Sequence, residues 1–202
     1  MSTQETWPYP VSMVRSAKLQ ERIAGGILDS AAAVLGERGD AASMEEVAEA
    51  AGIGRATLYR YFPSRDALLQ ALEAAAVEQL CIKIAEAELE TVPVREGIAR
   101  LNRGFLDAGD KYSALLRIGR KTTDPHVIEQ RIAAPVRALI LRGVQDGTLR
   151  ADIPPDMLLG MFTALLESAL QMTARAQLGI EAASAAITTA FLTGVLTDPV
   201  RD

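Results

Sequence analysis

Along most of this chain the apolar residues return every three or four positions, the interval that lines one face of an α-helix. Leu19, Ile23, Ile27, Ala31 and Val34/Leu35 predict a helix over Ala17–Arg38, with Gly39 after its last turn. Gly25 and Gly26 weaken it by about 1 kcal/mol each relative to alanine, or allow a close helix crossing. Leu69, Leu72, Ala76 and Leu80 predict a longer helix from about Arg65 to Glu90. At ~1.5 Å per residue such a helix spans over 30 Å, enough to serve as a rigid connector. Pro93 closes it. Shorter helices follow over Arg95–Ala108 and Tyr112–Gly119. Asp124–Pro125 is a good helix start, and Pro135 should kink that helix or begin a new one, which continues through Val136–Gln145 to Gly147. Pro154–Pro155 restarts the chain for two final helices, about Asp156–Leu178 and Glu181–Thr197. The first of these is apolar at Met157, Leu158, Met161, Phe162, Leu165, Leu166, Ala169 and Met172, which covers more than one narrow stripe. A helix apolar over most of its circumference needs burial on more than one side. A twofold mate sharing the last two helices would supply it.

One stretch has a different character. Ser43–Asp66, SMEEVAEAAGIGRATLYRYFPSRD, reads as two short helices joined by a tight turn. Ser43 and Glu46 have the spacing of a capping box, and Met44, Val47, Ala48 and Ala51 form the apolar face. Gly52 and Gly54 permit the backbone reversal. The second helix, about Arg55–Phe62, is pinned by Leu58 and Phe62 four residues apart. Arg55, Thr57, Tyr59, Arg60 and Tyr61 are left with outward or flanking directions and no carboxylate among them. A helix-turn-helix showing guanidinium, hydroxyl and phenol groups from its second helix suits the surface of duplex DNA.

The helix, the GIG turn and the run TLYRYFPSRDALL resemble the DNA-binding segment of the tetracycline-repressor (TetR) family of bacterial regulators, over about Gln20–Leu72. The resemblance implies an all-α fold, with an N-terminal three-helix helix-turn-helix head and a larger C-terminal helical effector-binding and dimerisation domain. The expected division is a mobile arm at 1–16, the DNA-binding domain at 17–65, and the ligand-binding and dimerisation domain at 66–202. The resemblance places Thr57, Tyr61 and Arg65 against phosphates and Arg55, Ala56, Tyr59 and Arg60 nearest base edges. Ser43, at a helix N-terminus, joins the phosphate contacts. The family's commonest pattern has lysine where Arg65 stands, so the charge is kept. A ligand cavity is implied between about Leu80 and Met172, with Phe105, Tyr112, Leu116, Met161, Phe162, Leu165 and Met172 as candidates to line it. Apolar residues at helical spacing are more often plain core, and each of these fits that reading too.

Composition narrows the alternatives. Of 202 residues 49 % are hydrophobic and only 4 % aromatic, the balance of a helical protein rather than a sandwich or barrel. The net charge of −5 argues against indiscriminate nucleic-acid coating, although Arg55, Arg60 and Arg65 fall together in the segment that would meet phosphates. The one cysteine, Cys81, excludes an internal disulfide. With the one histidine, His126, it cannot assemble a usual structural zinc site. No cofactor is expected, and no nucleophile elbow, P-loop or dinucleotide fingerprint points to an enzyme. No signal-peptide core is present in Met1–Ala17, and the apolar run Met157–Leu166 stops at Glu167, short of the ~20 residues that span a bilayer. A cytoplasmic chain with no membrane partner is expected.

Several polar groups admit two readings. Arg15 and Lys18, at the end of the Pro8/Pro10 stretch, reach toward a minor groove or belong to an idle terminus. Glu167, with Thr163, Gln171 and Arg175 four apart, is a contact to ligand or the solvated stripe of an apolar helix. Arg117, Arg120 and Lys121 attract an anion or form a loop-edge surface cluster, and His126 reads as a surface residue. The expected partners are a pseudo-palindromic operator, a small and mostly apolar effector, and a second copy of the chain. The other architecture open to this sequence is a helical DNA-binding dimer with no effector.

Overall fold

The computed structural model describes residues 11–118, 125–175 and 177–195, with side chains described for all of these except 11–17, 110, 112, 116, 117 and 195. Among the described residues the chain is all-α. The helices are α1 (Val11–Arg38), α2 (Met44–Ala50), α3 (Arg55–Tyr61), α4 (Arg65–Glu86), α5 (Val94–Asp107) and α6 (Gly109–Arg117). They continue with α7 (Pro125–Ile128), α8 (Ala134–Gln145), α9 (Pro155–Ala174) and α10 (Ile180–Val195).

Two apolar cores organise them. The head core joins Ile27, Leu28, Ala31 and Leu35 of α1 with Met44 and Val47 of α2 and Leu58 of α3. Leu68, Leu69, Leu72 and Ala76 from the first half of α4 complete it, together with Ala114 and Leu115 of α6. The body core begins at Leu80 on the same α4 stripe and gathers α5, α8, α9 and α10 around Ile98, Leu101, Phe105, Leu139, Ile140, Leu158, Phe162 and Phe191. Phe162 and Phe191 meet edge to face, ring centroids 5.5 Å apart, and tie α9 to α10. Asn102, 1 % exposed, donates from Nδ2 to Thr188 Oγ1 at 2.8 Å, so the polar group that α5 buries against α10 is satisfied. Arg142 caps the turn after α4 by donating to Glu90 O at 2.9 Å and Val92 O at 2.5 Å.

Four elements depart from the periodicity. Helix α1 starts at Val11, inside the stretch expected as an arm, because 11–17 contains no breaker after Pro10; residues 1–10 lie outside the described set. Leu19 is 56 % exposed rather than core, since the first turns of α1 project past the head. Helix α4 ends at Glu86, not near Glu90: Glu88 adopts φ 50°, a left-handed turn residue, and the chain folds back so that Leu89 is buried. The expected kink at Pro135 is a π-helical turn at Glu129–Ala133, closed by Ala134 N–H donating to Glu129 O. Pro135 has no N–H for the carbonyl of Arg131, four residues back, and the extra residue lets the helix pass the ring. The Cys81 thiol approaches that carbonyl at 3.9 Å. Burial pushes the Cys81 thiol up, with Arg131 opposing, so it stays protonated and able to donate.

Helix α9 is 20 residues long and contains an 18-residue stretch of mean hydropathy 1.3, and among the described residues it is the one helix long and apolar enough to cross a membrane by length and composition. The sequence expectation rested on an unbroken run; averaged across Glu167, an 18-residue stretch of the helix reaches that level. Only 28 % of the stretch is buried within the chain. Leu158, Phe162, Leu166 and Ala169 face the core, while Met157 and Met161, exposed at 60 % and 37 %, lie on an uncovered side.

Tight helix contact fixes the body at Gly143, where an added Cβ would stand 2.8 Å from Leu149 and 2.9 Å from Val94, both buried. Overpacking against two buried side chains costs ~1–3 kcal/mol, more than the ~1 kcal/mol a helix gains from glycine to alanine. Gly143→Ala should therefore lower the melting temperature. Gly36→Ala in α1, with nothing within 4 Å of the new carbon, should leave it unchanged or raise it. Thermal unfolding followed by circular dichroism distinguishes the two.

Candidate nucleic-acid interface and body cavity

The reading helix is positioned from both ends. Ser43 caps α2: its hydroxyl accepts from the Glu46 N–H at 3.2 Å, and its own N–H donates to the Glu46 carboxylate at 2.8 Å. The Ser43 N–H first, and then the Ser43 hydroxyl donating to the same carboxylate at 3.0 Å, hold the Glu46 carboxyl below the usual range, helped by Arg38 at 2.7 Å. A lowered acid pKa means the box contributes fully above the ordinary glutamate pKa and is lost only as pH falls through the lowered value. At the other end of α2, Gly52 takes φ 64°, while Gly52 N–H donates to Glu49 O and Ile53 N–H to Ala48 O, both at 3.0 Å. This is a Schellman closure, and the left-handed position explains the glycine. Gly54 then precedes α3.

Leu58, fully buried, and Phe62 anchor α3 to the head core. That leaves Arg55, Ala56, Tyr59 and Arg60 exposed, with Thr57 and Tyr61 half-buried at its flanks. The Arg60 guanidinium lies 5.5 Å from the centroid of the Tyr61 ring. All six residues expected from sequence on this helix therefore lie on or beside its outer face. Arg55 forms an ion pair with Glu45 of α2, a partner the sequence reading did not assign.

Ser43 and Arg65 have structural employment as well. The Arg65 guanidinium donates to the carbonyls of Ala42 and Asp40, the latter at 3.1 Å, and to Asp40 Oδ1 at 3.0 Å. It thus clasps the start of α4 to the 3-10 turn Gly39–Ala41 between α1 and α2. The sequence gives no signal for this, because the partners are backbone oxygens more than twenty residues away.

In the body a cavity of about 190 Å³ lies between α4, α5, α8 and α9 and the π turn. Phe105 and Phe162, both expected there, line it with Leu80, Ile132, Leu166 and Leu170, and Thr163 and Glu167 contribute its polar edge. Of the other expected lining residues, Leu165 packs against the core from the side, while Met161 and Met172 are exposed and are not among the lining residues. The side chains of Tyr112 and Leu116 lie outside the described set, as do the side chain of Arg117 and residues Arg120 and Lys121. Glu167 is half-buried at the cavity, on a stripe whose Thr163, Gln171 and Arg175 are exposed. Its placement depends on how α9 rotates against α8, which a single helix's periodicity does not reveal. His126 is exposed and shares a 2.8 Å hydrogen bond with Gln130.

Arg65→Ala removes a clasp of charge-assisted bonds on a partly exposed side chain. A loss of about 1–2 kcal/mol in the stability of the full chain should appear in chemical denaturation. Arg65→Lys, which keeps the charge but not the fork, should recover only part of it.

The family model described as "Bacterial regulatory proteins, tetR family" matches residues 27–72. The chain is 33 % identical over 129 residues to the HTH-type transcriptional regulator NfxB of Pseudomonas aeruginosa, covering 62 % of this chain and 69 % of NfxB. It is 37 % identical over 90 residues to the HTH-type transcriptional repressor LfrR of Mycolicibacterium smegmatis, spanning about half of each (45 % and 47 %). The crystal structure of LfrR in complex with proflavine superposes with a TM-score of 0.69 at 25 % identity, covering 89 % of this chain and 99 % of that one. These named relatives are regulators rather than enzymes. The capped helix-turn-helix, the two-core helical architecture and the likeness to NfxB agree: the chain belongs to the TetR family of helix-turn-helix transcriptional regulators.

Proposed function

We propose that the chain is a homodimeric, cytoplasmic repressor released from a pseudo-palindromic operator by a small, mostly apolar effector. The DNA-binding head takes residues 17–65 and the ligand-binding and dimerisation domain residues 66–202. The observation that carries this reading is the outer face of α3, where Arg55, Ala56, Tyr59 and Arg60 stand exposed on a helix pinned from beneath by Leu58 and Phe62. Arg55 or Arg60 would read guanine bidentately, each such pair giving ~1–3 kcal/mol of discrimination. Thr57 and Tyr61 would meet phosphates. Ser43 and Arg65 would reach phosphate with whatever hydrogen-bonding capacity their structural bonds leave.

The dimer would form through the uncovered side of α9 and the small residues of α10, among them Ala186, Ala190 and Gly194, which permit close approach. Each α3 would enter a major groove, with equivalent helices ~34–36 Å apart. The effector would occupy the cavity bounded by Leu80, Phe105 and Phe162. Helices α4 and α6 pack in the head core as well, so a ligand that repositions them would change the spacing of the heads. A few kcal/mol of differential affinity is sufficient for such coupling. The proflavine complex of LfrR supports a body of this architecture accommodating an aromatic ligand.

Selection of bound sequences from a random duplex pool would yield an inverted repeat. Tyr61→Ala should then weaken binding to every sequence, while Arg55→Ala or Arg60→Ala should also alter base preference. Unchanged affinity in all of these variants would overturn the docking. Affinity should fall log-linearly with salt. Light scattering at micromolar concentration should report a dimer, and a monomer would overturn the interface.

A further inference from the structure

The surface charges of the body are largely spent on one another. Lys83 pairs with Glu86 and Asp107, each at 3.1 Å, and Arg100 with Glu88 and Glu96 at 3.4 and 3.0 Å. Arg103 holds Glu181 at 2.7 Å, Arg131 holds Glu78 at 2.8 Å, and Arg137 binds both Glu129 and Asp156. Glu167 is different. It sits half-buried at the edge of the apolar cavity, and among the described residues it has no hydrogen-bond or ion-pair partner. Arg131, within the π turn that walls the cavity, and Arg137, four residues beyond that turn, are already committed to other carboxylates. The neighbouring polar group on the cavity edge is the Thr163 hydroxyl, one helical turn back on α9, and it donates to its own helix at Leu159 O, 2.9 Å away.

A carboxylate against an apolar wall, with no donor facing it among the described residues, loses hydration without compensation. The ligand that restores the balance brings an apolar body for Phe105, Phe162, Ile132 and Leu170 and a positive charge for Glu167. We propose that this cavity selects cationic over neutral or anionic apolar molecules, with Glu167 as the residue that reads the charge. The inference rests on the effector cavity put forward above. It adds the charge of the ligand and the residue responsible.

Three fluorescent probes test it on the full-length protein, without DNA because planar cations intercalate. These are proflavine, a cation; N-phenyl-1-naphthylamine, neutral; and 8-anilinonaphthalene-1-sulfonate, which carries a negative charge on the same framework as the neutral probe. Glu167→Gln should reduce proflavine affinity about ten-fold or more, as loss of a partly desolvated ion pair requires, and leave the neutral probe within about two-fold. The same variant should strengthen the sulfonate. Ile132→Trp, which fills the cavity, should weaken proflavine and the neutral probe together, with circular dichroism verifying the fold of both variants. If the neutral probe binds and is blocked by Ile132→Trp, yet proflavine is indifferent to Glu167→Gln, charge selection is overturned and the cavity reading stands. If proflavine binding survives Ile132→Trp, the cation sits elsewhere and the proposal fails. If no probe binds, the cavity reading itself fails and takes the charge inference with it.

Discussion

The head of this protein does not have a core of its own. Ala114 and Leu115, from a helix that belongs by sequence to the body, fill the space between α1 and α4 alongside Leu28, Ala31 and Leu72. At the same place Lys111, only 8 % exposed, reaches Asp29 of α1 at 2.5 Å. Burying an ammonium beside apolar side chains is unfavourable unless a counter-charge is held close, so the pair fixes α6 relative to α1. Close-packed interiors respond to displacement by repacking rather than by compressing. Movement of α6 must therefore carry α1, or else open the head core, and the reading helix stands on that core. The connector α4 contributes the other continuous link, with Leu72 in one core and Leu80 in the other.

The arginines near the reading face divide into two kinds. Arg60 is exposed and stacked near Tyr61, whereas Arg38, Arg55 and Arg65 are tied to Glu46, Glu45 and Asp40. Surface pairs of this sort contribute little to stability. Their greater effect is on direction, because a guanidinium held at one end samples fewer orientations. The family's frequent lysine at the Arg65 position could not form the fork across Ala42 and Asp40, so the substitution changes the architecture of the head even though it preserves charge.

The helix-turn-helix was legible because its signals are local. The capping box, the left-handed glycine and the Leu58–Phe62 spacing each operate within five residues, and all are found as the sequence predicts. The helix ends were less legible where tertiary packing decides them. Glu88 carries no turn signature, yet burial of Leu89 draws the chain out of α4 there. Leu19 has the right spacing for the core and no core opposite it. The cavity was the least legible part. Phe105 and Phe162, which line the cavity, were named as candidates through the family resemblance, but Thr163 and Glu167 depend on the rotation of α9 against its neighbours, as does the exposure of Met161 and Met172. A periodic pattern says that a helix has two faces; it does not say which neighbour each face meets.

The π turn before Pro135 has a consequence for how the body yields. Four sides of the cavity are regular helices, whose ladders resist bending along their whole length. The fifth is closed by Ile132 and Ala133, within a widened turn that leads into a proline with no N–H and whose Arg131 carbonyl is approached by the Cys81 thiol. A guest would meet its softest boundary there, so expansion to admit a bulkier molecule would begin at that loosened coil and leave the other four walls in register.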